Sequence, residues 1–415
     1  VKGGLNGIVV GEVIECKKHP NADKLKLTKV KVNKKKTLQI ICGAPNVALG
    51  QKVPVALVGS VLYPKNDKEV LIRSSKIRGE ESKGMICAED ELGIGNSHDG
   101  IMVLNNNLEI GKPLKEALGI EDDYIYEIGL TPNRADAMSH MGVARDLKAY
   151  FIQNKIDYIW NSPKIENLPS PSKTKKINIQ VDEPELAPYY FGITLTNVNV
   201  LPSPEWIQNY LRSIGITPKN NVVDITNFVL HDIGQPLHSF DADKIEGDII
   251  VKKSKKGTKF LTLDHNEVEL SDEDLMICDQ NKPLCLAGIY GGKDSGVSKS
   301  TKSIFLESAY FNAQTIRKSA KRHGFNTDAS YRFERGIDPE ICLIALKRAV
   351  FLMAKYANAV ISSEIVEFQS PNEVPAKIFI SYEQINNTIG QDIPKEDLIS
   401  KGRKKNINLR YAIER

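Results

Sequence analysis

The sequence predicts a soluble multidomain protein of the α+β class. Its 415 residues are 41% hydrophobic, which is enough for more than one core, and a chain of this length usually forms two to four domains. Between residues 7 and 104, short runs alternate apolar and polar residues and are separated by Gly, Pro and Asn, as in a small closed β-barrel. Between about 177 and 374, strand and helix patterns do not alternate strictly, which favours α+β over a doubly wound sheet.

Composition argues against a membrane or secreted protein. The chain has no run of 18 or more apolar residues, and VKGGLNGIVVGEVIEC lacks a basic segment followed by an apolar signal core. The cysteines are scattered without a CxxC pair, which predicts a reduced, cytoplasmic protein with structural thiols. Cys16 and His19 could begin a metal site, but no second pair follows, so we predict no metal. The six cysteines are Cys16, Cys42, Cys87, Cys278, Cys285 and Cys342.

The net charge of +4 is unevenly distributed. Residues 1–113 carry 18 Lys and Arg against 12 Asp and Glu, and residues 401–415 carry 6 against 1, so the residues between them are acidic. Nine lysines and one Asp lie in residues 16–36. Such a block is typical of a solvated face, but a basic module beside an acidic body can also capture a polyanion.

Helical patterns begin after the predicted barrel. LKEALGI predicts a helical turn, and apolar residues at i, i+3, i+4 and i+7 predict an amphipathic helix from about Ser139 to Gln153. SPKIENLPSPSKTKK, rich in Pro, Ser and Lys, predicts an interdomain linker. We therefore assign residues 1–113 to the barrel domain and residues 114–172 to a helical connector and linker.

Residues 173–373 form the third predicted unit, which begins with strands and contains three predicted helices. Ser203 is the expected N-cap of the first helix and Gly215 its end, and Gly324 ends the second. The third is the long segment ICLIALKRAVFLMAKYANA. Residues 374–415 show a strand and a short helix, which predict the incomplete start of a further small α/β domain.

One segment of this unit, Val222 to Asp241, concentrates polar side chains among apolar ones. Each polar group buried without a partner costs roughly 1–3 kcal/mol, so a stable core does not need so many. A glycine-dense turn, LAGIYGG, and an apolar strand ending in a carboxylate, IFLES, follow further along the chain. These three features predict a small-molecule pocket with selective hydrogen bonding.

The motifs resemble those of a known family. The first unit is similar to the tRNA-binding OB-fold module of several synthetases, on HPNADKLKLTKV, ICGAPNV, KVPVALVG, IRSSKIRGEESKGMICAEDELG and TPNRADAMSHMGVARDL. The third unit resembles the editing domain of the bacterial phenylalanyl-tRNA synthetase β subunit, on NVVDITNFVLHDIGQPLHSFD, LAGIYGG and LESAYFNAQTIRKSAKRHGFNTDASYRFERGID. The resemblance covers most of residues 7–400 and implies an OB-fold β-barrel, then an α+β editing domain. It also implies a β chain truncated at its C-terminus and at its N-terminus.

The same resemblance implies an activity and partners. The chain would bind tRNA(Phe) and pair with an α subunit, which carries the aminoacylation site, in an (αβ)₂ heterotetramer that uses ATP and Mg²⁺. It would itself hydrolyse mischarged Tyr-tRNA(Phe), and no cofactor is expected within this chain. The rival functions are a non-catalytic tRNA-binding and assembly subunit with a degenerate pocket, and a nucleotide-dependent enzyme using the glycine-rich turn. GIYGGKD lacks the spacing of a phosphate loop, because Asp294 stands where Ser or Thr belongs.

The proposed selectivity makes chemical sense without the family. Tyr exceeds Phe by one hydroxyl, so a proofreading site cannot exclude Phe by size and must instead recognise the phenol with a buried polar group. A site of this kind can discriminate by roughly 10⁴ or more, against on the order of 10² for an apolar pocket. Glu307, which follows an apolar run, is placed for this role, and the resemblance makes it the acceptor. The alternative is a structural salt bridge from Glu307 to Arg317 or Lys318.

The resemblance also assigns the rest of the pocket. It places Ala287, Gly288 and Gly291 on the wall against the aromatic ring, and Thr327 and Ala329 on the far side. Glycines that serve only a tight turn are the alternative for the wall.

Ester hydrolysis needs a positioned water but no protein nucleophile, because the aminoacyl ester is already activated. His238, Thr226 and Asn227 suit the orientation of water and of the terminal ribose, and the resemblance puts them at the pocket. A structural core histidine is the alternative for His238, and His231 is left as structural. Thr217 departs from related sequences, which often carry Arg there.

In the barrel, basic side chains beside small polar ones would contact phosphate and sugar without reading sequence. Tyr63 is the only aromatic residue in 1–113, so base stacking should be minor. The candidate tRNA-binding residues are Lys24, Lys26, Arg73, Lys76 and Arg78, beside Asn46, Ser74 and Ser75.

Overall fold

The structure is a computed structural model that describes residues 2–64, 69–95, 99–120, 124–163, 168–370 and 379–404. The chain divides into two compact units, Val1–Tyr124 and Ile125–Arg415. Both contain strands and helices, so the predicted multidomain α+β class is confirmed.

The first unit is mainly β-structure. Its described elements are β1 (Ile8–His19), β2 (Ala22–Lys31), β3 (Thr37–Cys42), β4 (Lys52–Ala56), β5 (Val61–Leu62), β6 (Val70–Leu71), β7 (Ser75–Ile77), β8 (Glu80–Ser82), β9 (Met85–Ile86) and the single helical turn α1 (Leu114–Ala117).

Five of these strands form one sheet in the order β3-β2-β1-β4-β9, and every described pair in it is antiparallel. Alternate residues such as Val13, Val30 and Ile40 are fully buried, which explains the period-2 pattern of the sequence. A closed barrel is not confirmed, because no ladder joins the edge strands β3 and β9 among the described residues. The two edges do approach: the backbone N–H of Lys83 donates to the carbonyl of Gln39 at 2.8 Å.

A small hairpin, β7–β8, packs on the turn between β1 and β2. Its own turn needs left-handed backbone at Arg78 (φ +50°) and Gly79 (φ +98°). His19 is buried beneath it: Nδ1 accepts from the backbone N–H of Asn21 at 3.0 Å, so Nε2 carries the proton and donates to the Ile77 carbonyl at 3.2 Å.

The second unit mixes helices and strands. Its described elements are α2 (His140–Gln153), β10 (Ile179–Val181), β11 (Tyr189–Thr196), α3 (Glu205–Ser213), α4 (Asn221–Ile233), β12 (Leu237–Asp241), β13 (Ile249–Lys253), β14 (Lys259–Leu261), β15 (Glu267–Glu269), β16 (Leu275–Cys278), β17 (Pro283–Leu286), β18 (Tyr290–Gly291), β19 (Ile304–Tyr310), α5 (Ala313–His323), α6 (Asp328–Phe333), α7 (Ile341–Ala357), β20 (Val360–Ile361), β21 (Val366–Gln369), α8 (Tyr382–Ile389) and α9 (Lys395–Lys404).

Two sheets organise this unit. The first has the order β12-β19-β11-β20, with β21 also paired to β11, and the second has the order β10-β13-β16-β17-β18. One face of the first sheet packs with α4 and α7 in a core that contains Ile193, Leu306 and Val229. Its other face packs against the second sheet in a core that contains Phe305 and Ile277. The unit therefore stacks helices, a sheet and a second sheet.

Several predicted helix boundaries are confirmed. Ser139 caps α2, its side chain accepting from the backbone N–H of Gly142 at 3.0 Å, and Gly324 ends α5 with left-handed backbone. The predicted cap at Ser203 is wrong. Pro204 precedes α3 without a side-chain cap, and the Ser203 hydroxyl instead donates to Asp224 at 2.6 Å.

After residue 370, the described chain contains only α8 and α9. The strand predicted near the start of 374–415 falls partly on residues 371–378, which are outside the described residues, and residues 379–381 are not in a strand. Within the described ranges, no helix is long and apolar enough to cross a membrane.

Candidate functional site

The candidate site lies between the two sheets of the second unit. His238 on β12 and Glu307 on β19 are directly opposed residues of the antiparallel ladder, so their side chains project from the same face. That face is the one that meets the second sheet, because Phe240 and Phe305, each two residues away, belong to the core between the sheets. The structure therefore brings together Glu307, predicted for selectivity, and His238, one of the three residues predicted for hydrolysis.

Glu307 is 5% exposed and accepts a hydrogen bond from another residue of the chain, the hydroxyl of Tyr190, at 2.5 Å. Burial raises the pKa of Glu307 to about 8, while the hydrogen bond from Tyr190 acts in the opposite direction. No ion pair to Glu307 is found in the described parts of the chain, including from Arg317 or Lys318. The carboxyl group thus sits in an apolar environment with one phenol as its partner.

His238 is half-buried, and its Nε2 atom is buried without a hydrogen-bond partner. Its ring lies edge-on to Phe240, with centroids 4.5 Å apart, and burial lowers its pKa to about 4. The imidazole is therefore neutral at pH 7 and can hydrogen-bond a water or a ligand hydroxyl through the unpartnered nitrogen.

Two glycines make room for neighbouring side chains, Gly291 for His238 and Gly288 for two phenylalanines. A Cβ at Gly291 would lie 2.9 Å from His238 Cε1 and 2.8 Å from Leu263 Cδ1. Gly288 has φ +66°, and a Cβ there would lie 2.9 Å from Phe333 and 3.0 Å from Phe311. The glycine-dense turn after β17 therefore does more than reverse the chain: it lets backbone lie against an imidazole and two aromatic rings.

The start of α6 is tied to that turn. Thr327 is the N-cap of α6, and its hydroxyl donates to the carbonyl of Ile289 at 3.1 Å. Ala287 is buried in the core between the sheets, and Ala329 packs against it. The residues predicted for the two walls of the pocket thus belong to one neighbourhood.

Thr226 and Asn227 lie on α4, which packs on the other face of the first sheet through Ile225 and Val229. The Thr226 hydroxyl donates to the Val223 carbonyl at 2.7 Å within the helix. No hydrogen bond described in the structure joins Thr226 or Asn227 to His238 or Glu307.

His231, also on α4, lies away from these residues and lines a cavity of about 320 Å³ with His140, Tyr210 and Arg332. Its Nδ1 lies 3.4 Å from an Arg332 guanidinium nitrogen, and burial lowers its pKa to about 4. His231 therefore has a structural neighbour, Arg332, that the sequence alone does not reveal.

Cysteine chemistry is disfavoured at the site. Cys285 is buried near Glu307, and burial raises the pKa of its thiol well above the ordinary value. Burial raises the pKa of Cys278 to about 11. Neither thiol is thus an activated nucleophile. Among the described residues, no group of three or more His, Cys, Asp or Glu side chains could hold a metal ion.

The basic residues predicted to bind tRNA lie on two elements of the first unit. Lys24 is exposed on β2, and Arg73, Lys76 and Arg78 are exposed on and around the β7–β8 hairpin. Lys26 is partly committed within the fold, since its ammonium group donates to the carbonyls of Pro45 at 3.1 Å and Val47 at 2.8 Å.

The polar residue Asn46 is also committed. Its side chain donates to the Ile101 carbonyl and accepts from the Ile101 N–H, at 2.8 and 2.9 Å. Ser74 and Ser75 are exposed beside Arg73.

Sequence reasoning missed Tyr190, Phe311 and Phe333 as parts of the site. Tyr190 lies 117 residues before its partner Glu307, and alternation along β11 predicts only that it faces a core. Which polar atom it meets there depends on strand pairing, and a single sequence does not reveal that.

Two family comparisons match the two units. Residues 8–113 match the family described as "Putative tRNA binding domain", and residues 186–358 match the family described as "B3/4 domain". The second match spans β12, β19, the glycine turn and α6, which together build the candidate site.

Relatives that match nearly the whole chain carry the description phenylalanine–tRNA ligase beta subunit. Those of Bacteroides fragilis (strain YCH46), Bacteroides thetaiotaomicron and Porphyromonas gingivalis are 50%, 49% and 47% identical over 96%, 96% and 95% of this chain. The matches cover 49%, 49% and 48% of those proteins, so the chain spans about half the length of the curated relatives it matches.

Among solved structures, an N-terminal fragment of the phenylalanyl-tRNA synthetase beta-subunit from Pyrococcus horikoshii aligns at 18% identity and a TM-score of 0.33. The alignment covers 66% of this chain and 74% of that one, a likeness too low to carry an argument about fold. The relationship therefore rests on the sequence matches. Over the length matched, this chain is a homologue of phenylalanine–tRNA ligase beta subunits, with a tRNA-binding domain at residues 8–113 and a B3/4 domain at residues 186–358.

Proposed function

We propose that the second unit hydrolyses mischarged Tyr-tRNA(Phe), with Glu307 accepting a hydrogen bond from the phenol of the tyrosyl group. The observation that carries this proposal is the position of Glu307. Its buried carboxyl group already accepts one phenol hydroxyl, from Tyr190, in an otherwise apolar core. When Glu307 is ionised, a second phenol can use the other carboxyl oxygen, because a carboxylate accepts at both oxygens.

Discrimination against phenylalanine follows from burial. A bound phenylalanyl group would fill the same space but leave the Glu307 oxygen that faces the ligand without a donor. The cost is about 1–3 kcal/mol, or more for a charged group. This is the arrangement by which a site rejects the smaller of two aromatic side chains.

Hydrolysis in this proposal proceeds by attack of water on the ester carbonyl. His238, with its unpartnered Nε2, positions the water or the terminal ribose, and Gly291 leaves space for the imidazole. Thr226 and Asn227 stay in the proposal as ribose-positioning residues, and Ala287, Gly288, Thr327 and Ala329 as pocket walls. With a pKa of about 4, His238 acts more readily by orientation than by proton abstraction.

The first unit is proposed to bind tRNA(Phe) through its exposed basic residues. We propose an OB-type fold for it and retain the boundaries 1–113, 114–172, 173–373 and 374–415 as proposed domains. Exposed cations for phosphate are offered by Lys24, Arg73, Lys76 and Arg78. The Lys26 ammonium group also adds positive charge, although it already donates to two backbone carbonyls.

The remaining proposals concern the whole ligase. We propose an α subunit as partner in a cytoplasmic (αβ)₂ assembly, and the six free cysteines fit a reducing compartment. ATP and Mg²⁺ would serve the aminoacylation reaction there.

The test is deacylation of Tyr-tRNA(Phe) by the complete ligase carrying Glu307→Ala or His238→Ala. We expect each variant to lose at least about ten-fold in rate, since each removes a buried polar contact to substrate or water. Aminoacylation with phenylalanine should persist and serves as the folding control. Wild-type deacylation rates in both variants would contradict the assignment and favour a non-catalytic tRNA-binding subunit.

A further inference from the structure

Glu307 has an internal partner that competes with any substrate phenol. The Tyr190 hydroxyl donates to Oε2 of Glu307 at 2.5 Å, and Tyr190 is fully buried. In the described structure, the other oxygen, Oε1, has no hydrogen bond. A ligand phenol must therefore either share the carboxyl group with Tyr190 or displace it.

Displacement is blocked by the packing of Tyr190. Its strand, β11, is paired on both sides, with Ala309 opposite on β19 and Phe368 opposite on β21. Its ring lies edge-on to Phe311, with centroids 6.5 Å apart, in the core between the sheets. A ring enclosed in this way cannot leave without repacking the core.

The other strand neighbour of Glu307 leaves the carboxyl group without an alternative partner. Gly192 pairs directly with Glu307 and has no side chain, and a Cβ there would lie 2.1 Å from the Phe305 ring. His238, on the other side of Glu307, has no hydrogen bond to it in the described structure. Among the described residues, Tyr190 alone therefore donates a side-chain hydrogen bond that orients the carboxyl group.

We propose that Tyr190 is a positioning residue that sets the specificity of this site. Its hydroxyl holds one oxygen of Glu307, so that only the other oxygen is presented to the phenol of a bound tyrosyl group. This inference rests on the proposed editing function, and it names the residue that orients the selective group.

The same contact affects the charge of Glu307. A hydrogen bond donated to a carboxylate favours the ionised form, which is also the stronger acceptor for a phenol. Burial raises the pKa of Glu307 and the Tyr190 hydroxyl counteracts it, so removing the hydroxyl should raise that pKa further. The other titratable groups beside Glu307, His238 on β12 and Cys285 on β17, are the same in wild type and variant. Without the Tyr190 hydroxyl, the preference for tyrosyl over phenylalanyl esters should then appear only at a higher pH than in wild type.

The test compares Tyr190→Phe with Tyr189→Phe in the complete ligase. Both changes remove one phenol oxygen and keep the ring, but Tyr189 packs with the core on the opposite face of β11. The measurement is the ratio of kcat/KM for deacylation of Tyr-tRNA(Phe) to that of Phe-tRNA(Phe) between pH 6 and 9. A ratio cancels the intrinsic pH dependence of ester hydrolysis.

For Tyr190→Phe we expect the ratio at pH 7.5 to fall about ten-fold, the effect of one hydrogen bond to a charged group. We also expect its rise with pH to be displaced upward by about one unit. Tyr189→Phe should match wild type in both respects. An unchanged ratio and an unchanged pH profile in Tyr190→Phe would overturn the inference.

The Glu307→Ala variant tests the editing proposal separately from the role of Tyr190. If Glu307→Ala still hydrolyses Tyr-tRNA(Phe) selectively, the proposed function fails and the role of Tyr190 fails with it. If Glu307→Ala loses selectivity while Tyr190→Phe keeps it, the editing site stands and the role of Tyr190 is wrong. Infrared titration of the Glu307 carboxyl in wild type and Tyr190→Phe reports the hydrogen bond directly, and an unchanged titration would also overturn the inference.

Discussion

At the scale of single residues, a carboxyl group between two β-sheets is tolerated in one of two ways. It can stay protonated, or it can be paired with hydrogen-bond donors. Glu307 uses both, because burial raises its pKa to about 8 and Tyr190 supplies a donor. Near neutral pH the group is therefore poised between a neutral and an ionised state, as is common at functional sites.

This environment makes stability depend on pH. The folded state holds a proton on Glu307 between its ordinary pKa of 4.5 and about 8, whereas the unfolded state has lost it, so stability falls as pH rises through this window. The expected slope is about 1.4 kcal/mol per pH unit. Urea unfolding of wild type and Glu307→Gln between pH 6.5 and 8 should show a flatter dependence in the variant. Equal slopes would contradict the raised pKa.

Gly291 gives a second prediction at this scale. In Gly291→Ala the new methyl group meets the His238 ring, which must shift, so we expect Tyr-tRNA(Phe) deacylation to fall at least about ten-fold. Stability should fall by about 1–3 kcal/mol. Gly129→Ala is the matched control, because its Cβ would have nothing within 4 Å. Normal deacylation in Gly291→Ala would show that the position of His238 does not matter.

At the scale of elements, local signals in the sequence predicted helices better than strand partners. Ser139 and Gly324 mark helix ends because capping and left-handed termination depend on neighbouring residues alone. The same reasoning failed at Ser203, whose hydroxyl is taken by Asp224, 21 residues away. The pairing of Tyr190 with Glu307 is equally non-local, so sequence could predict the acceptor without its internal partner.

The β7–β8 hairpin gives a prediction about tRNA binding. His19 holds the hairpin by its hydrogen bond to Ile77, so His19→Ala should destabilise the first unit by about 1–3 kcal/mol and weaken tRNA binding. It should leave the salt dependence of the dissociation constant nearly unchanged, because it removes no surface cation. Arg78→Ala should reduce the log–log salt slope by about 1. The reverse pattern of slopes would contradict an electrostatic role for the hairpin.

At the scale of the whole chain, the two units divide the proposed work. The first presents cations on a β-sheet scaffold, and the second places one carboxyl and one imidazole against the apolar core between its two sheets. Charge patterning and period-2 alternation predicted the character of the first unit from sequence, although a closed barrel was not confirmed. The residues of the candidate site were predicted in part. The resemblance named Glu307 and His238, but only the fold places them opposite each other on neighbouring strands.

The most direct test of tyrosyl recognition by Glu307 is a crystal structure of the complete ligase with a non-hydrolysable tyrosyl analogue of the tRNA 3′ end. We predict the ligand phenol oxygen about 2.7 Å from Glu307 Oε1, with the Tyr190 hydroxyl still bonded to Oε2. A ligand whose phenol faces solvent, or one bound away from Glu307, would contradict recognition of the tyrosyl hydroxyl by Glu307.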